Sequence, residues 1–265
     1  MVQRPRPHPH RPPGPRHDPP PPRETSDTIQ GLRAGLAVFA RRPDEVLRVA
    51  YTREVRPELG DLLRGCTSKR IPCQEMSEPE LARIAEGTHH EGLCVAARPR
   101  KWLSTSDFAD VLTRSKGTAI ALDRVRNPYN VGAILRSAAF FGVDAALLGT
   151  PAPHPGLPPT AVRVAEGGAE HVQLARTTDL ADTLARLRAR GIRVVGADGQ
   201  ATTSATGFAF GRPAILVVGN EREGLGYRVR AQCDVLVAVR GAGTLESLNV
   251  AVAAGVLVAE MTRRG

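Results

Sequence analysis

The sequence predicts an α/β protein in which a small α/β domain and a proline-rich tail precede a parallel-sheet domain. Three observations lead to this prediction. From Gly117 onward, apolar runs of strand length alternate with segments of helical periodicity. These apolar runs are continuous, as in parallel strands that are covered on both faces. The first residues are instead rich in Pro and Arg and lack the apolar side chains that a core requires.

Four segments are predicted along the 265 residues. They are a disordered Pro/Arg-rich tail (1–28), a small α/β domain (29–100), a linker or connecting helix (101–116) and the parallel-sheet domain (117–265). An RNA-contacting arm and a solvated extension both agree with the composition of the tail, and the solvated extension is the simpler interpretation.

The block 29–100 alternates helices and strands. Apolar residues at helical spacing in TIQGLRAGLAVFARRP predict a first helix that ends at Pro43. The strand VLRVAYT, the helix PELGDLLRGC, the short strand IPC, the helix SEPELARIAEG capped by Ser77 and the strand GLCVAAR follow. His89, His90 and Glu91 are potential metal ligands, but no further ligands lie at helical spacing, which favours a polar loop.

The second domain consists of repeated β-α units. Its predicted strands are TAIALD, AALLG, HVQLA, IRVVGAD, PAILVVG and VLVAV, and its helices are NVGAILRSAAFFG (with Asn130 as a possible cap), TAVRVAEGGAE, LADTLARLRARG, GYRVRAQC and a last one from about residue 245 to 263. Ligands of such sheets bind beyond the carboxyl ends of the strands. We therefore expect the site in the polar loops Arg126–Asn130, Asp198–Gln200, Asn220–Gly226 and Arg240–Asn249.

Composition limits the possible functions. A net charge of +9 and a pI near 10.2 favour a polyanionic partner, although basic surfaces also occur on proteins that bind no nucleic acid. Four scattered cysteines without a C-x-x-C pair support neither a zinc knuckle nor a redox motif and fit reduced thiols. No apolar run approaches the roughly 18 residues of a membrane span, and no secretory h-region is present. A cytoplasmic location is therefore expected.

The first segment with chemical potential is DRVRNPYNVGAILRSA, residues 123–138. A turn at Pro128 leads into a helix whose free N–H groups suit an anion, and the Arg136 guanidinium can grip phosphate oxygens bidentately. Taken alone, the spacing favours a simpler interpretation, a surface arginine on an ordinary capped helix.

The second segment is LVVGNEREGLG, residues 216–226. It resembles a nucleotide-binding loop only superficially, because G-x-x-x-x-G-K-[ST] is absent from the chain. A solvated polar turn is the alternative.

The third segment, RGAGTLESLNVAVAAGVLVAE, follows the strand VLVAV. Its glycines suggest a dinucleotide-binding turn, but Glu246 occupies the place of the third Gly or Ala, and no further strand follows to carry the acidic residue. A buried terminal helix remains, with Ser247 and Asn249 as polar groups that require partners at its start.

Together, NPYNVGAILRSAAFFGV, LVVGNEREGLG and SLNVAVAAGVLVAE resemble, in order and spacing, the three motifs of SpoU (TrmH) RNA 2′-O-ribose methyltransferases of the SPOUT superfamily. The block ending in HHEGLCVAARP is similar to the small substrate-binding domain of the rRNA-directed branch. The resemblance implies a deep trefoil knot, a homodimer with its active site near the subunit interface, and S-adenosyl-L-methionine as the cofactor. It also favours rRNA over tRNA as the substrate. Methyl transfer from a sulfonium is an in-line displacement, for which no metal is expected.

Motif matching implies specific site residues. The cofactor-binding set is Gly219, Asn220, Val239, Leu248 and Asn249, and the catalytic and RNA-positioning set is Asn130, Arg136, Glu221, Ser247 and Asn249. Many relatives carry Pro directly after the position of Val239, where this chain has Arg240. The cofactor turn is therefore expected to be shaped differently here.

Three functions are weighed for this chain. An RNA 2′-O-methyltransferase is favoured, with Arg136 clamping a phosphate and stabilising the developing alkoxide, because a guanidinium hardly loses its proton. A non-catalytic RNA-binding assembly protein on the same scaffold is the alternative, although the intact polar set disfavours it. A nicotinamide oxidoreductase is remote.

Overall fold

The computed structural model describes residues 26–149, 156–244 and 247–263. Most of the predicted tail therefore lies outside the described residues, whereas Asp27 and Thr28, its last two residues, already belong to a strand. Among the helices in these ranges, none combines the length and the apolar composition that crossing a bilayer requires.

The N-terminal domain is a four-stranded mixed sheet with three α-helices. Its strands are β1 (Asp27–Gln30), β2 (Val46–Tyr51), β3 (Cys73–Glu75) and β4 (Leu93–Ala97), and its helices are α1 (Leu32–Arg41), α2 (Gly60–Lys69) and α3 (Glu78–Ala85). The strand order is β1-β4-β2-β3, with β4 antiparallel to both of its neighbours. Short 3₁₀ segments, Pro43–Glu45 and Arg53–Leu59, precede β2 and α2.

The first predicted helix is wrong in its N-terminal part. Residues 28–30 pair with β4 as a strand, and Gly31, with a φ of +101°, turns the chain into α1. Ile29 lies at helical spacing from Leu32 and Leu36, but the same residue also occupies the buried face of a strand. The Ser77 cap of α3 is confirmed, since Ser77 and Glu80 form a reciprocal capping box.

The C-terminal domain contains a seven-stranded sheet in which all neighbouring strands are parallel, as predicted. Its strands are β5 (Thr118–Leu122), β6 (Ala145–Gly149), β7 (Gln173–Thr177), β8 (Arg193–Ala197), β9 (Thr203–Ser204), β10 (Ala214–Val218) and β11 (Val235–Ala238). Its helices are α4 (Thr105–Ser115), α5 (Pro128–Phe140), α6 (Pro159–Val164), α7 (Gly168–His171), α8 (Leu180–Ala189), α9 (Tyr227–Arg230) and α10 (Val250–Thr262). The strand order is β7-β6-β5-β10-β8-β11-β9.

Helices cover both faces of this sheet. Ile134 of α5 and Leu257 of α10 are buried in the core of one face, and Phe108 of α4 and Leu184 of α8 in the core of the other. The segment 101–116, predicted as a linker or connecting helix, thus supplies α4 to the layered domain. The exact domain boundaries and the threading of the C-terminal segment into a knot stay predictions.

Several element boundaries differ from those predicted. Asn127, not Asn130, caps α5, because the Asn127 Oδ1 accepts a hydrogen bond from the Tyr129 N–H. The last helix begins at Val250 rather than near residue 245. The predicted helix TAVRVAEGGAE is two short helices separated at Glu166 and Gly167, which both have positive φ. The two-residue strand β9 carries too little pattern to be predicted.

A buried ion-pair cluster joins the two domains. The Glu170 side chain is 3% exposed and accepts hydrogen bonds from Arg42 Nε at 3.0 Å and Arg100 Nη2 at 2.5 Å. Arg100 also donates to the Ala169 carbonyl. Burial lowers the pKa of Arg100, and the nearby Glu170 carboxylate opposes that shift. The Glu170 carboxylate therefore helps to hold the N-terminal domain in its orientation.

We expect Glu170→Ala to lower the free energy of unfolding by about 3–5 kcal/mol, because it leaves two largely buried guanidinium groups without a counter-charge. Urea denaturation followed by circular dichroism measures the loss. The matched control is Asp182→Asn on α8, whose half-exposed pair with Arg186 should contribute at most about 1 kcal/mol. Equal losses in the two variants would contradict the prediction.

Candidate functional site

A cavity of about 790 Å³ opens at the carboxyl ends of β8, β10 and β11 and at the start of α10. Three of the four predicted loops line it. The predicted residues in its wall are Gly219, Asn220, Glu221, Val239, Ser247 and Leu248, with Asp198 and Arg240 beside them.

The loop after β10 is closed by its own backbone. The Asn220 N–H donates to the Gly224 carbonyl at 3.1 Å, and the Gly224 N–H donates back at 2.9 Å. The Asn220 Oδ1 accepts a hydrogen bond from the Arg222 N–H. A Cβ on Gly219 would overlap the Gly224 carbonyl group, so only glycine permits this closure. Asn220 thus shapes the cavity wall through hydrogen bonds within its own loop.

Two residues that the sequence analysis did not single out brace this loop. Asp123, which is 4% exposed, accepts a hydrogen bond from the Gly226 N–H at 2.7 Å. Arg124 pairs with Glu223 and donates to the Gly224 carbonyl. Both residues follow β5 directly and therefore lie at the same edge of the sheet as the predicted loops. This position is the sequence feature that could have identified them.

One nearly buried amide links the three motifs. Asn130 is 9% exposed and donates from Nδ2 to Glu221 Oε1 at 2.5 Å. Its Oδ1 accepts a hydrogen bond from Asn249 Nδ2 at 3.1 Å. The Asn249 Oδ1 in turn caps α10 by accepting from the Ala251 N–H at 2.9 Å and from the Val252 N–H at 3.3 Å. Both ends of two side-chain amides are therefore used to hold α5, the β10 loop and α10 together.

Arg240 has a structural explanation. Its Nη2 donates to the carbonyls of Ala201 at 2.5 Å and Thr202 at 3.0 Å, on the segment that leads into β9. The guanidinium thereby ties the chain after β11 to the chain after β8, and both flank the cavity. This is a contact that a proline at position 240 cannot make.

Asn130, Arg136 and Asn249 are the predicted site residues that do not line the cavity. Asn130 and Asn249 are connected to its wall through Glu221, whereas Arg136 is bonded elsewhere. Arg136 lies on α5, and its Nη1 donates to Glu166 Oε1 at 2.6 Å. Its side chain is 53% exposed. Asn130, Glu221 and Asn249 thus form one hydrogen-bonded cluster, whereas Arg136 points away from them toward the N-terminal domain.

Arg136 belongs to an exposed face that is otherwise mostly apolar. Tyr129 and Phe140 lie on the same stripe of α5, with Phe140 83% exposed. On the neighbouring α10, Val252 and Val256 are also exposed. Large exposed apolar patches on soluble proteins commonly mark interaction sites. This α5–α10 face is therefore a candidate interface.

Among the described residues, no group of three or more His, Cys, Asp or Glu side chains is arranged so that it could hold a metal ion. His90 is buried, and its Nδ1 accepts a hydrogen bond from the Gly92 N–H. This local contact agrees with the polar-loop interpretation of residues 89–91.

Two protein-family models match the chain. Residues 117–259 match the SpoU rRNA Methylase family, and residues 28–103 match the RNA 2′-O ribose methyltransferase substrate-binding domain. Together they cover both folded domains.

Curated relatives and solved structures agree with these models. The chain is 34% identical over 246 residues to the 23S rRNA (guanosine-2′-O-)-methyltransferase RlmB of Vibrio cholerae, covering 91% of this chain and 98% of the relative. It is 33% identical to an uncharacterized tRNA/rRNA methyltransferase of Mycobacterium ulcerans, covering 89% of this chain and 74% of that one. The SpoU methyltransferase AviRb of Streptomyces viridochromogenes, solved with AdoMet, aligns with a TM-score of 0.73 at 26% identity over 89% of each chain.

The link between Asn130 and Asn249 can be measured in a double-mutant cycle. We expect Asn130→Ala and Asn249→Ala to be non-additive in the free energy of unfolding by about 0.5–3 kcal/mol, because either change alone leaves a polar partner unpaired. As a control, Asp179→Ala removes the cap of α8 on the opposite face of the sheet and should be additive with Asn249→Ala. Additivity in both cycles would mean that the link contributes nothing.

Proposed function

The chain belongs to the SpoU rRNA methylase family, and from this membership we propose that it methylates a guanosine 2′-OH of 23S rRNA as a homodimer. It is an S-adenosyl-L-methionine-dependent RNA 2′-O-ribose methyltransferase. The observation that favours 23S rRNA is the match to RlmB over nearly the full length of both proteins, with the substrate-binding domain included.

The cavity suits the cofactor. Its wall combines apolar groups, such as Val239 and Leu248, with the tight backbone loop at Gly219. A side chain at Gly219 would overlap the Gly224 carbonyl group, so this part of the cavity wall requires a residue without a Cβ atom. These residues would hold S-adenosylmethionine, which supplies an electrophilic methyl group on a sulfonium. The protein's task is to hold a ribose 2′-OH in line with that group.

The residues in and near the cavity have different proposed roles in methyl transfer. Asn130, Glu221 and Asn249 fix the relative positions of the three motifs, and Ser247 lies exposed at the cavity edge, where it can contact RNA. Arg136 would grip the adjacent phosphate and stabilise the alkoxide that develops at the ribose oxygen. A guanidinium acts as a charge and not as a base, so the proton of the 2′-OH leaves to water while the methyl group passes from the sulfonium to the ribose oxygen.

A homodimer accounts for the position of Arg136. Within one chain this residue lies on the exposed α5–α10 face, whereas the cavity opens beside Leu248, which is 50% exposed. Two such faces packed about a two-fold axis would bury the exposed apolar side chains. They would also bring Arg136 of each subunit toward the cavity of the other.

Charge and thiols support the remaining parts of the proposal. The net charge of +9 favours an RNA partner. Cys66 and Cys94 are buried and free, which agrees with a reduced, cytoplasmic setting.

Mapping 2′-O-methyl groups in RNA from cells with and without this protein tests the proposed substrate. We expect one guanosine position of 23S rRNA to lose its methyl group in the deficient cells and to regain it when the purified protein and cofactor are added. A lost methyl group in tRNA would replace rRNA by tRNA as the substrate. No change at any position, together with no cofactor binding by calorimetry, would favour the non-catalytic assembly protein.

For Arg136→Ala we expect methyl transfer to fall at least about a hundredfold, because the phosphate grip and the alkoxide charge partner are both lost. Cofactor affinity should stay within about twofold of wild type, because Arg136 does not line the cavity. Calorimetric titration and a radiolabelled methyl-transfer assay measure the two quantities. Retained transfer would remove Arg136 from the catalytic set.

Mixing two inactive variants tests whether Arg136 acts across the subunit interface. Arg136→Ala keeps an intact cavity, and Gly219→Ala keeps an intact arginine. After the two are unfolded and refolded together in equal amounts, half of the dimers are mixed and each mixed dimer contains one complete site. We therefore expect about a quarter of wild-type activity. No recovery, with mixed dimers present, would place Arg136 in the site of its own chain.

A further inference from the structure

Glu166 lies where the catalytic helix meets the substrate-binding domain. Its Oε1 accepts a hydrogen bond from Arg136 Nη1 at 2.6 Å, and its Oε2 accepts one from Arg33 Nη1 of α1 at 3.2 Å. One carboxylate thus connects the residue assigned to the phosphate with the domain assigned to RNA capture.

The backbone around Glu166 is held in place on both sides. Glu166 has a φ of +45°, and its N–H donates to the Arg163 carbonyl at 2.9 Å. A Cβ on Gly168 would come within 3.0 Å of Arg136 Cα, and one on Gly167 within 2.7 Å of the Ala37 side chain. The segment 166–168 therefore packs directly against α5 on one side and against α1 on the other. The Glu166 carboxylate is therefore attached to a backbone that is fixed by packing. A side chain that orients another side chain requires such support.

Glu166 engages only one edge of the Arg136 guanidinium. Among the described residues, the hydrogen bond of Arg136 is the one from Nη1, and Nε and Nη2 lie on a side chain that is 53% exposed. A guanidinium can hold a carboxylate at one edge and a phosphate at another. The pair with Glu166 is therefore compatible with substrate binding by the same arginine.

We propose that Glu166 is a positioning residue that orients Arg136 for the substrate phosphate and couples this orientation to the substrate-binding domain through Arg33. The inference rests on the proposed function. Glu166 has two opposing effects on the RNA. Its charge repels the incoming phosphates, which weakens binding, while its hydrogen bond sets the angle of the guanidinium, which speeds transfer.

Two substitutions separate these effects. Glu166→Gln removes the charge but keeps an oxygen that accepts the Arg136 hydrogen bond, whereas Glu166→Ala removes both. We expect both variants to bind RNA roughly two- to fivefold more tightly than wild type, as for the loss of one partly exposed charge. We expect kcat to fall about tenfold in Glu166→Ala, because the guanidinium loses its orientation, and to stay within about threefold of wild type in Glu166→Gln.

The assay uses 23S rRNA purified from cells that lack the protein, with labelled S-adenosylmethionine, and reports kcat and KM for each variant. Asp182→Asn on α8 is the control for net charge and should change neither quantity. Cofactor affinity by calorimetry and the melting temperature should match wild type in both Glu166 variants. An inactive wild-type protein would overturn the proposed function itself. An active wild type with the same kcat in Glu166→Ala and Glu166→Gln, or a lower melting temperature in Glu166→Ala, would overturn the inference alone.

Discussion

The site depends on the hydrogen bonds of one nearly buried amide, that of Asn130. It donates to Glu221 of the β10 loop and accepts from Asn249, the cap of α10. An amide is suited to this place because it offers a donor and an acceptor on one short side chain. The three motifs lie far apart along the chain, and a group that could only donate or only accept would leave one of them unattached. Asn130 therefore fixes the relative positions of the cavity wall, the start of α10 and the helix α5.

A second constraint acts between the domains. The buried Glu170 holds Arg42 and Arg100, and Glu166, four residues earlier, holds Arg33 and Arg136. The first cluster is largely buried and stabilises the domain arrangement, whereas the second is more exposed and borders the site. The segment between β6 and β7 thus carries two carboxylates, four residues apart, that each bind an arginine of the N-terminal domain. The position of the N-terminal domain and the orientation of the Arg136 side chain therefore both depend on contacts made by this one segment.

Most of the layered architecture could be predicted from the sequence, because long apolar runs that alternate with periodic helices permit few arrangements. The loops that line the cavity were also predictable, since parallel strands place them at one edge. The exact ends of the helices and strands could not be predicted in the same way. Ile29 satisfies both a helical and a strand pattern, and the predicted cap Asn130 is instead part of the polar cluster. The roles of Asp123, Arg124 and Glu166 arise from contacts between residues distant in sequence, which neither spacing nor motif matching contains.

The strand order has a consequence for how the protein reaches its native state. β10 inserts between β5 and β8, so its pairing with β5 joins Leu216 to Ile120. Contacts of such long sequence separation form slowly, because chain entropy is lost before the pairing stabilises the sheet. Until β10 arrives, the edges of β5 and β8 are open for pairing with other chains. The insertion of β10, which completes the cavity wall, therefore also closes two open strand edges, and a delay in this insertion would leave the nascent protein open to aggregation.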